Sequence, residues 1–211
     1  DTLAKTATLC LLGLSVAIAA QAGIFNCGGE GQLYFGAMAS ALMGAKLNGA
    51  PAVIAVPLCL IAAMLAGAAW AFIPAWFKGK LKVNEVITTI MLNSVATYFC
   101  AYLSNGPLKT AERGIASGTA KIDNAFAFSR VINLSNLTTS IFVSAAVALF
   151  LWYLMRRTTI GYEMKLTGEN ERFAYYTGIR SKKLMLWGMI ISGAICGMVG
   201  MFEVFGLLPG S

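Results

Sequence analysis

Long apolar stretches without a charge alternate with short polar connections along this chain. Residues 6–25, 52–77, 86–103, 137–155 and 184–202 each contain 18 to 26 residues and no Asp, Glu, Lys or Arg. An α-helix of about 20 apolar residues crosses the ~30 Å hydrocarbon core of a bilayer. The pattern therefore predicts an all-α fold, a polytopic transmembrane helical bundle.

One apolar region is interrupted. Residues 26–32, NCGGEGQ, contain three glycines, and the run that follows, 33–45, has only 13 residues, or about 20 Å of helix. That is too short to cross a bilayer alone, so the pattern predicts a broken helix near residues 26–32. Non-helical backbone at membrane depth survives only where protein or a water-filled cavity satisfies it. Transporters use such breaks to present polar groups to a substrate.

Basic residues are concentrated in two of the polar connections. Ten of the 16 Lys and Arg residues lie at 78–82 and 156–183. Cytoplasmic loops carry an excess of this kind. Two predicted spans separate the connections, so we expect both in the cytoplasm and the polar stretch 104–136 outside. Because apolar runs flank each cluster, the net charge of +7 indicates membrane orientation and argues against nucleic-acid binding.

The composition argues against several kinds of chemistry. Histidine is absent and none of the five cysteines belongs to a CxxC pair, which argues against a metal site or histidine-based catalysis. No phosphate-binding G-x-x-x-x-G-K-[ST] motif occurs, so we expect no catalytic residue and no cofactor, and energy for transport from another subunit. The chain opens on Asp1 rather than Met. We interpret residues 1–211 as a single transmembrane domain that is a fragment of a longer chain.

Polar residues within the apolar regions are the candidate substrate-pathway residues. Glu30 is a carboxylate at the expected membrane depth, where an ionisable group is costly and indicates function by default. Asn26 and Gln32 add neutral donors and acceptors suited to an uncharged polar ligand. Asn93 lies on a polar face of the span 86–103. The alternatives are structural: Glu30 or Gln32 caps a neighbouring helix, and Asn93 makes interhelical hydrogen bonds.

Two further features concern helix packing. Gly193 and Gly197 form a GxxxG pattern with Gly200 three residues on, which predicts close helix–helix contact. Pro57 and Pro74 lie within the run 52–77, and membrane-embedded helices tolerate such prolines.

The connection 156–183 is a 28-residue loop that we expect in the cytoplasm. Asn170 suits an N-cap and Gly178 suits the C′ position, which predicts a two-turn helix between them. Its aromatic residues are available to dock to a protein partner or, alternatively, to lie at the lipid interface.

Several of these segments resemble one protein family. Residues 26–45, NCGGEGQLYFGAMASALMGA, and 83–93, VNEVITTIMLN, are similar to two signatures of the permease subunits of bacterial ABC importers, as are 105–107 and 168–178. The resemblance covers most of the chain and is to the ribose and simple-sugar branch, within it the nucleoside (purine lipoprotein-linked) importers.

The resemblance implies a set of partners. Flanking helices would be missing from residues 1–211 at both ends. A second permease subunit, identical or different, would pair with this one, and ABC ATPase subunits would contact the loop helix at 170–177. The resemblance thus makes 156–183 a cytoplasmic coupling loop, with the candidate coupling residues Gly168, Glu169, Asn170, Arg172, Phe173 and Tyr176. An extracytoplasmic binding lipoprotein would deliver nucleoside or a related simple sugar. The protein would then be a multi-pass protein of the bacterial inner membrane and not an enzyme, with ATP used by its partner. The rival functions are an ion-coupled secondary transporter or channel, and a membrane scaffold without transport.

Overall fold

Eight α-helices make up the part of the chain that the structure describes. The computed structural model describes residues 2–108 and 140–206, and all the regular secondary structure in these two segments is helical. The helices are α1 (Thr2–Gln21), α2 (Gly29–Lys46), α3 (Ala52–Leu81), α4 (Glu85–Asn105), α5 (Ser140–Arg157), α6 (Thr159–Glu169), α7 (Glu171–Tyr176) and α8 (Ser181–Gly206). The predicted all-α class is confirmed. Most of the predicted external loop 104–136 lies outside the described residues.

Within residues 2–108 and 140–206, three helices are long and apolar enough to cross a bilayer: α3, α4 and α8. They correspond to the predicted spans 52–77, 86–103 and 184–202, each extended by a few residues at its ends. Pro57 and Pro74 both lie inside α3, as the sequence predicts. An ion pair between Lys78 Nζ and Glu85 Oε2, 2.6 Å apart, joins the end of α3 to the start of α4.

Helix α8 lies at the centre of the bundle, in contact with α1, α2 and α3. Its small residues allow this approach: a Cβ added at Gly197 would overlap the carbonyl oxygen of Ala63 in α3, and one at Gly200 would overlap Leu33 O in α2. A Cβ added at Gly67 of α3 would likewise overlap Gly193 O. The GxxxG prediction of close packing is confirmed, and its partners are the backbones of α2 and α3.

Apolar side chains fill the spaces between these helices. One cluster joins Leu11 and Ile18 of α1 to Val199 and Phe202 of α8. A second is formed by α3 and α8, with Met201 and Phe205 packed on the small residues Ala55, Cys59 and Ala63. Helix α4 packs mainly on α2, and α5 on α1 and α6.

The break between the first two helices lies earlier than predicted. Helix α1 ends at Gln21 and α2 begins at Gly29, so the non-helical segment is 22–28 rather than 26–32. Its second residue, Gly23, has a left-handed φ of +78°, a conformation that favours glycine. Glu30 and Gln32 fall in the first turn of α2, where a carboxylate stabilises the positive end of the helix dipole.

The coupling loop contains more helix than predicted. The predicted two-turn helix is present as α7: Asn170 Oδ1 accepts from Phe173 N at 3.0 Å, and Gly178 has a φ of +84°. Helix α6 was not predicted. Thr158 caps it by accepting a hydrogen bond from the N–H of Gly161 at 3.2 Å.

Candidate functional site

Two of the predicted pathway residues are paired inside the protein. Asn26 and Gln32 are 2% and 1% exposed. Asn26 Nδ2 donates to Gln32 Oε1 at 2.9 Å, and Gln32 Nε2 donates back to Asn26 Oδ1 at 3.1 Å. Asn26 Oδ1 also accepts from Gly28 N at 2.8 Å. The pair therefore fastens the non-helical segment to the first turn of α2.

Helices α8 and α1 extend this hydrogen-bond network. Asn26 Nδ2 donates to Ser192 Oγ at 2.7 Å, which uses the last polar position of the Asn26 amide. Ser192 Oγ lies 2.8 Å from Ser15 Oγ, and Ser15 Oγ lies 2.9 Å from Cys196 Sγ. Both serines are fully buried. Buried polar groups that all have partners rigidify the structure around them, so the network holds α1, the break, α2 and α8 together.

Asn93 connects the break to α4. Its Nδ2 donates to Cys27 O at 2.9 Å, and its Oδ1 accepts from Gly31 N at 3.0 Å. Glycine at residue 31 gives this contact room, because an added Cβ would lie 3.0 Å from both Asn93 Oδ1 and Trp70 Nε1 and would push these side chains aside. Asn93 thus satisfies one carbonyl and one N–H at the break, which a membrane-embedded backbone requires.

Glu30 is placed differently from the other three pathway residues. It is exposed and has no ion pair among those found in the described residues. Tyr34, one turn along α2, lines a groove of about 340 Å³ that α4 completes with Thr97 and Ser104. Phe35 on the same helix stacks on Trp70 at a ring-centroid distance of 4.0 Å. The α2–α4 surface therefore combines an acid, hydroxyl groups and aromatic rings.

The six candidate coupling residues lie on or beside α7. Asn170 caps the helix, and the side chains of Phe173 and Tyr176 are 53% and 85% exposed. Arg172 is also exposed. Glu169 lies 3.9 Å from Lys165 in a fully solvated pair. The result is a short, capped helix that presents aromatic side chains outward.

Gly168 has a separate position among these six residues. A Cβ added there would overlap the carbonyl of Gln21, the last residue of α1, and a Cβ added at Gly23 would lie 3.2 Å from Gly168 Cα. The end of α6 thus touches the start of the break. Through this contact, the segment that carries α7 is in direct backbone contact with the non-helical segment 22–28.

Several residues of the site were not predicted from the sequence. Ser15 and Ser192 were not chosen, although each is a polar residue within an apolar run and Ser192 directly precedes the GxxxG motif. Tyr34 and Thr97 were also missed, because aromatic and threonine residues are common in membrane spans and carry little signal. Among the residues described, no group of three or more Cys, Asp or Glu side chains is arranged to hold a metal ion.

Comparisons with known proteins place these features in a family. Residues 1–208 match the family described as the branched-chain amino acid transport system permease component. The guanosine ABC transporter permease NupP of Bacillus subtilis is 34% identical over 208 residues, 98% of this chain and 59% of NupP. The glucose ABC transporter permease TsgB13 of Haloferax volcanii is 31% identical, covering 98% of this chain and 56% of TsgB13.

A third relative is similar over the same region. The nucleoside ABC transporter permease NupB of Lactococcus lactis is 29% identical over 99% of this chain and 59% of NupB. The chain thus spans somewhat more than half the length of these relatives. No solved structure matches. Because the family match extends over nearly all of its residues, the chain belongs to this family of ABC transporter permease components, which are multi-pass membrane subunits.

Proposed function

We propose that the full-length protein is the permease subunit of an ATP-driven importer that moves nucleosides or related simple sugars across the cell membrane. Two relatives are named for guanosine and nucleoside transport and one for glucose. The observation that carries the proposal is the non-helical segment 22–28 within an apolar helical bundle, near an exposed acid and a groove that contains hydroxyl groups. A scaffold would need neither feature.

The substrate path runs along the α2–α4 surface in this proposal. Glu30 and the groove at Tyr34 and Thr97 offer hydroxyl and carboxylate groups for sugar hydroxyls, with aromatic surface nearby for a ring. Asn93 lies at the edge of this surface. Asn26 and Gln32 do not contact the substrate in this proposal, because their amides bond to each other. They stabilise the conformation of the segment 22–28 and so position Glu30.

In this proposal, ATP hydrolysis in a partner subunit acts on the permease through α7. Phe173 and Tyr176 are aromatic side chains that a partner would bury, and ABC ATPase subunits are the partner class that the family implies. A movement of α7 would reach the break by way of α6, because the backbone at Gly168 contacts the end of α1. A second permease and a binding lipoprotein complete the proposed assembly. Two permeases of Bacillus subtilis, NupP and NupQ, are both similar to this chain, which favours a heterodimeric pair.

Copurification tests the coupling part of the proposal. Affinity-tagged full-length chain is expected to bring down an ATPase subunit, and Phe173→Asp is expected to lose it because a charge replaces an aromatic anchor. Tyr162→Asp is the matched control, since Tyr162 is an exposed aromatic residue on α6 outside the proposed contact. Loss of the ATPase in both variants, or in neither, would contradict the role of α7.

Uptake of radiolabelled nucleosides, pentoses and glucose by cells that express the complete transporter tests the substrate class. ATP-dependent uptake of a nucleoside, competed by other nucleosides, is the expected result. Transport by the full-length chain alone in liposomes, driven by an ion gradient and without ATP, would refute the importer and favour a secondary transporter.

A further inference from the structure

Two adjoining cavities lie where α5, α6 and α7 meet the start of α8. The first, of about 1140 Å³, is lined by charged and aromatic residues of α7 and the first residues of α8. The second, of about 710 Å³, is lined mainly by apolar residues: Leu154, Ile160, Met164, Leu184, Trp187 and Ile191. Four residues line both cavities: Gly178, Ile179, Arg180 and Lys183. Together they form one crevice with a polar end and an apolar end.

The polar end is suited to an anion. It surrounds the N-terminus of α8, where the helix dipole favours negative charge. Ser181, the first residue of α8, lines this end and is 6% exposed. Its buried Oγ has no hydrogen-bond partner among the described residues, an arrangement that native proteins rarely leave unfilled. Arg172, Arg180, Lys182 and Lys183 line the same end, against the single acid Glu171.

The apolar end continues from there along α8. Trp187 and Ile191 follow Ser181 by six and ten residues, or about 9 and 15 Å along the helix axis. Trp187 is largely exposed, and exposed tryptophans in membrane proteins concentrate at the interface between headgroups and acyl chains. Glu163 is the one acid that lines this end. The crevice therefore passes from a basic pocket to an apolar groove over roughly the distance from a lipid phosphate to its acyl chains.

We propose that this crevice binds one anionic phospholipid. The phosphate lies at the N-terminus of α8, where Ser181 Oγ donates to it and Arg180 and Lys183 neutralise it. An acyl chain lies along Trp187 and Ile191. Over both ends the lining carries four cations and two acids, and basic pockets between membrane helices recognise anionic headgroups in this way. The site is separate from the proposed substrate path and does not depend on the substrate.

Lipid retention by the purified full-length chain, with the subunits that copurify with it, tests the proposal. Native mass spectrometry after titration with phosphatidylglycerol is expected to show one tightly held lipid. Phosphatidylcholine at the same concentration is expected to be retained at least ~10-fold more weakly. The variant Arg180→Gln/Lys183→Gln is expected to lose roughly 30-fold in phosphatidylglycerol affinity. Both side chains are exposed, so the variant should fold. Lys80→Gln/Arg157→Gln, a Lys and an Arg that line neither cavity, should bind as the wild type does.

Ser181→Ala separates a ligand-binding role from a structural one. The hydroxyl has no hydrogen-bond partner in the described segments, so its removal should leave the thermal stability of lipid-free protein unchanged. It should weaken phosphatidylglycerol binding about tenfold, as expected for a lost hydrogen bond to a charged group. Equal retention of the two lipids, or equal loss in the Lys80/Arg157 variant, would overturn the proposal. Displacement of the lipid by glycerol 3-phosphate at similar concentration would also overturn it, because it would identify a site for soluble phosphate.

Discussion

The replacement Asn26→Leu tests the buried network directly. Leucine has nearly the shape of asparagine but removes all four hydrogen bonds of its amide, to Gln32 Oε1, Gln32 Nε2, Gly28 N and Ser192 Oγ. In this variant Ser192 keeps Ser15 as a hydrogen-bond partner. The Gln32 amide and the Gly28 N–H, in contrast, lose the Asn26 oxygen as their acceptor and gain no replacement.

Two estimates of the cost agree in order of magnitude. Side-chain hydrogen bonds within membrane proteins average about 0.6 kcal/mol, and at this value the four bonds of Asn26 contribute about 2.4 kcal/mol. Two orphaned buried groups cost about 1–3 kcal/mol each, or about 2–6 kcal/mol together. We therefore expect Asn26→Leu to lower the free energy of unfolding by about 2–4 kcal/mol.

Thermal unfolding of the full-length chain in detergent, followed by tryptophan fluorescence, measures this loss. The matched control is Asn105→Leu, because Asn105 is exposed and its amide donates to Ala101 O within its own helix, its one hydrogen bond to a described residue. We expect no measurable change. An unchanged melting temperature for Asn26→Leu would refute the stabilising role of the network. A variant of normal stability with impaired uptake would instead indicate that Asn26 contacts the substrate.

Three further predictions concern packing, charge and transport. Gly197→Ala should destabilise the protein by about 1–3 kcal/mol, the range for overpacking, whereas Gly13→Ala, with no atom within 4 Å of the added Cβ, should be neutral or slightly stabilising by thermal unfolding. The Lys78–Glu85 pair, partly exposed at its lysine, should show a coupling of about 1 kcal/mol or less in a double-mutant cycle with Lys78→Met and Glu85→Gln; zero coupling would mean that it does not hold α3 to α4. Glu30→Gln should leave the melting temperature unchanged and reduce uptake, and normal uptake would remove Glu30 from the path.

Local sequence patterns determine much of the secondary structure of this protein. Uncharged runs of sufficient length specify membrane helices because an unpaired backbone group or charge in lipid is costly. Capping is local too: Asn170 bonds to the N–H of Phe173, only three residues away, so the two-turn helix was predictable from sequence. The GxxxG motif specified close packing, since the absence of side chains is visible in the sequence itself.

Other features arose only from the assembled bundle. The segment 26–32 appears irregular in sequence because of its glycines, yet α2 begins at Gly29, because Asn26 and Asn93 provide partners for the backbone on either side of that point. Asn26 bonds to Ser192, which is 166 residues away, and no local pattern connects them. Whether a polar residue in a membrane span contacts substrate or another helix depends on what the folded chain places beside it, and that is a property of the tertiary structure.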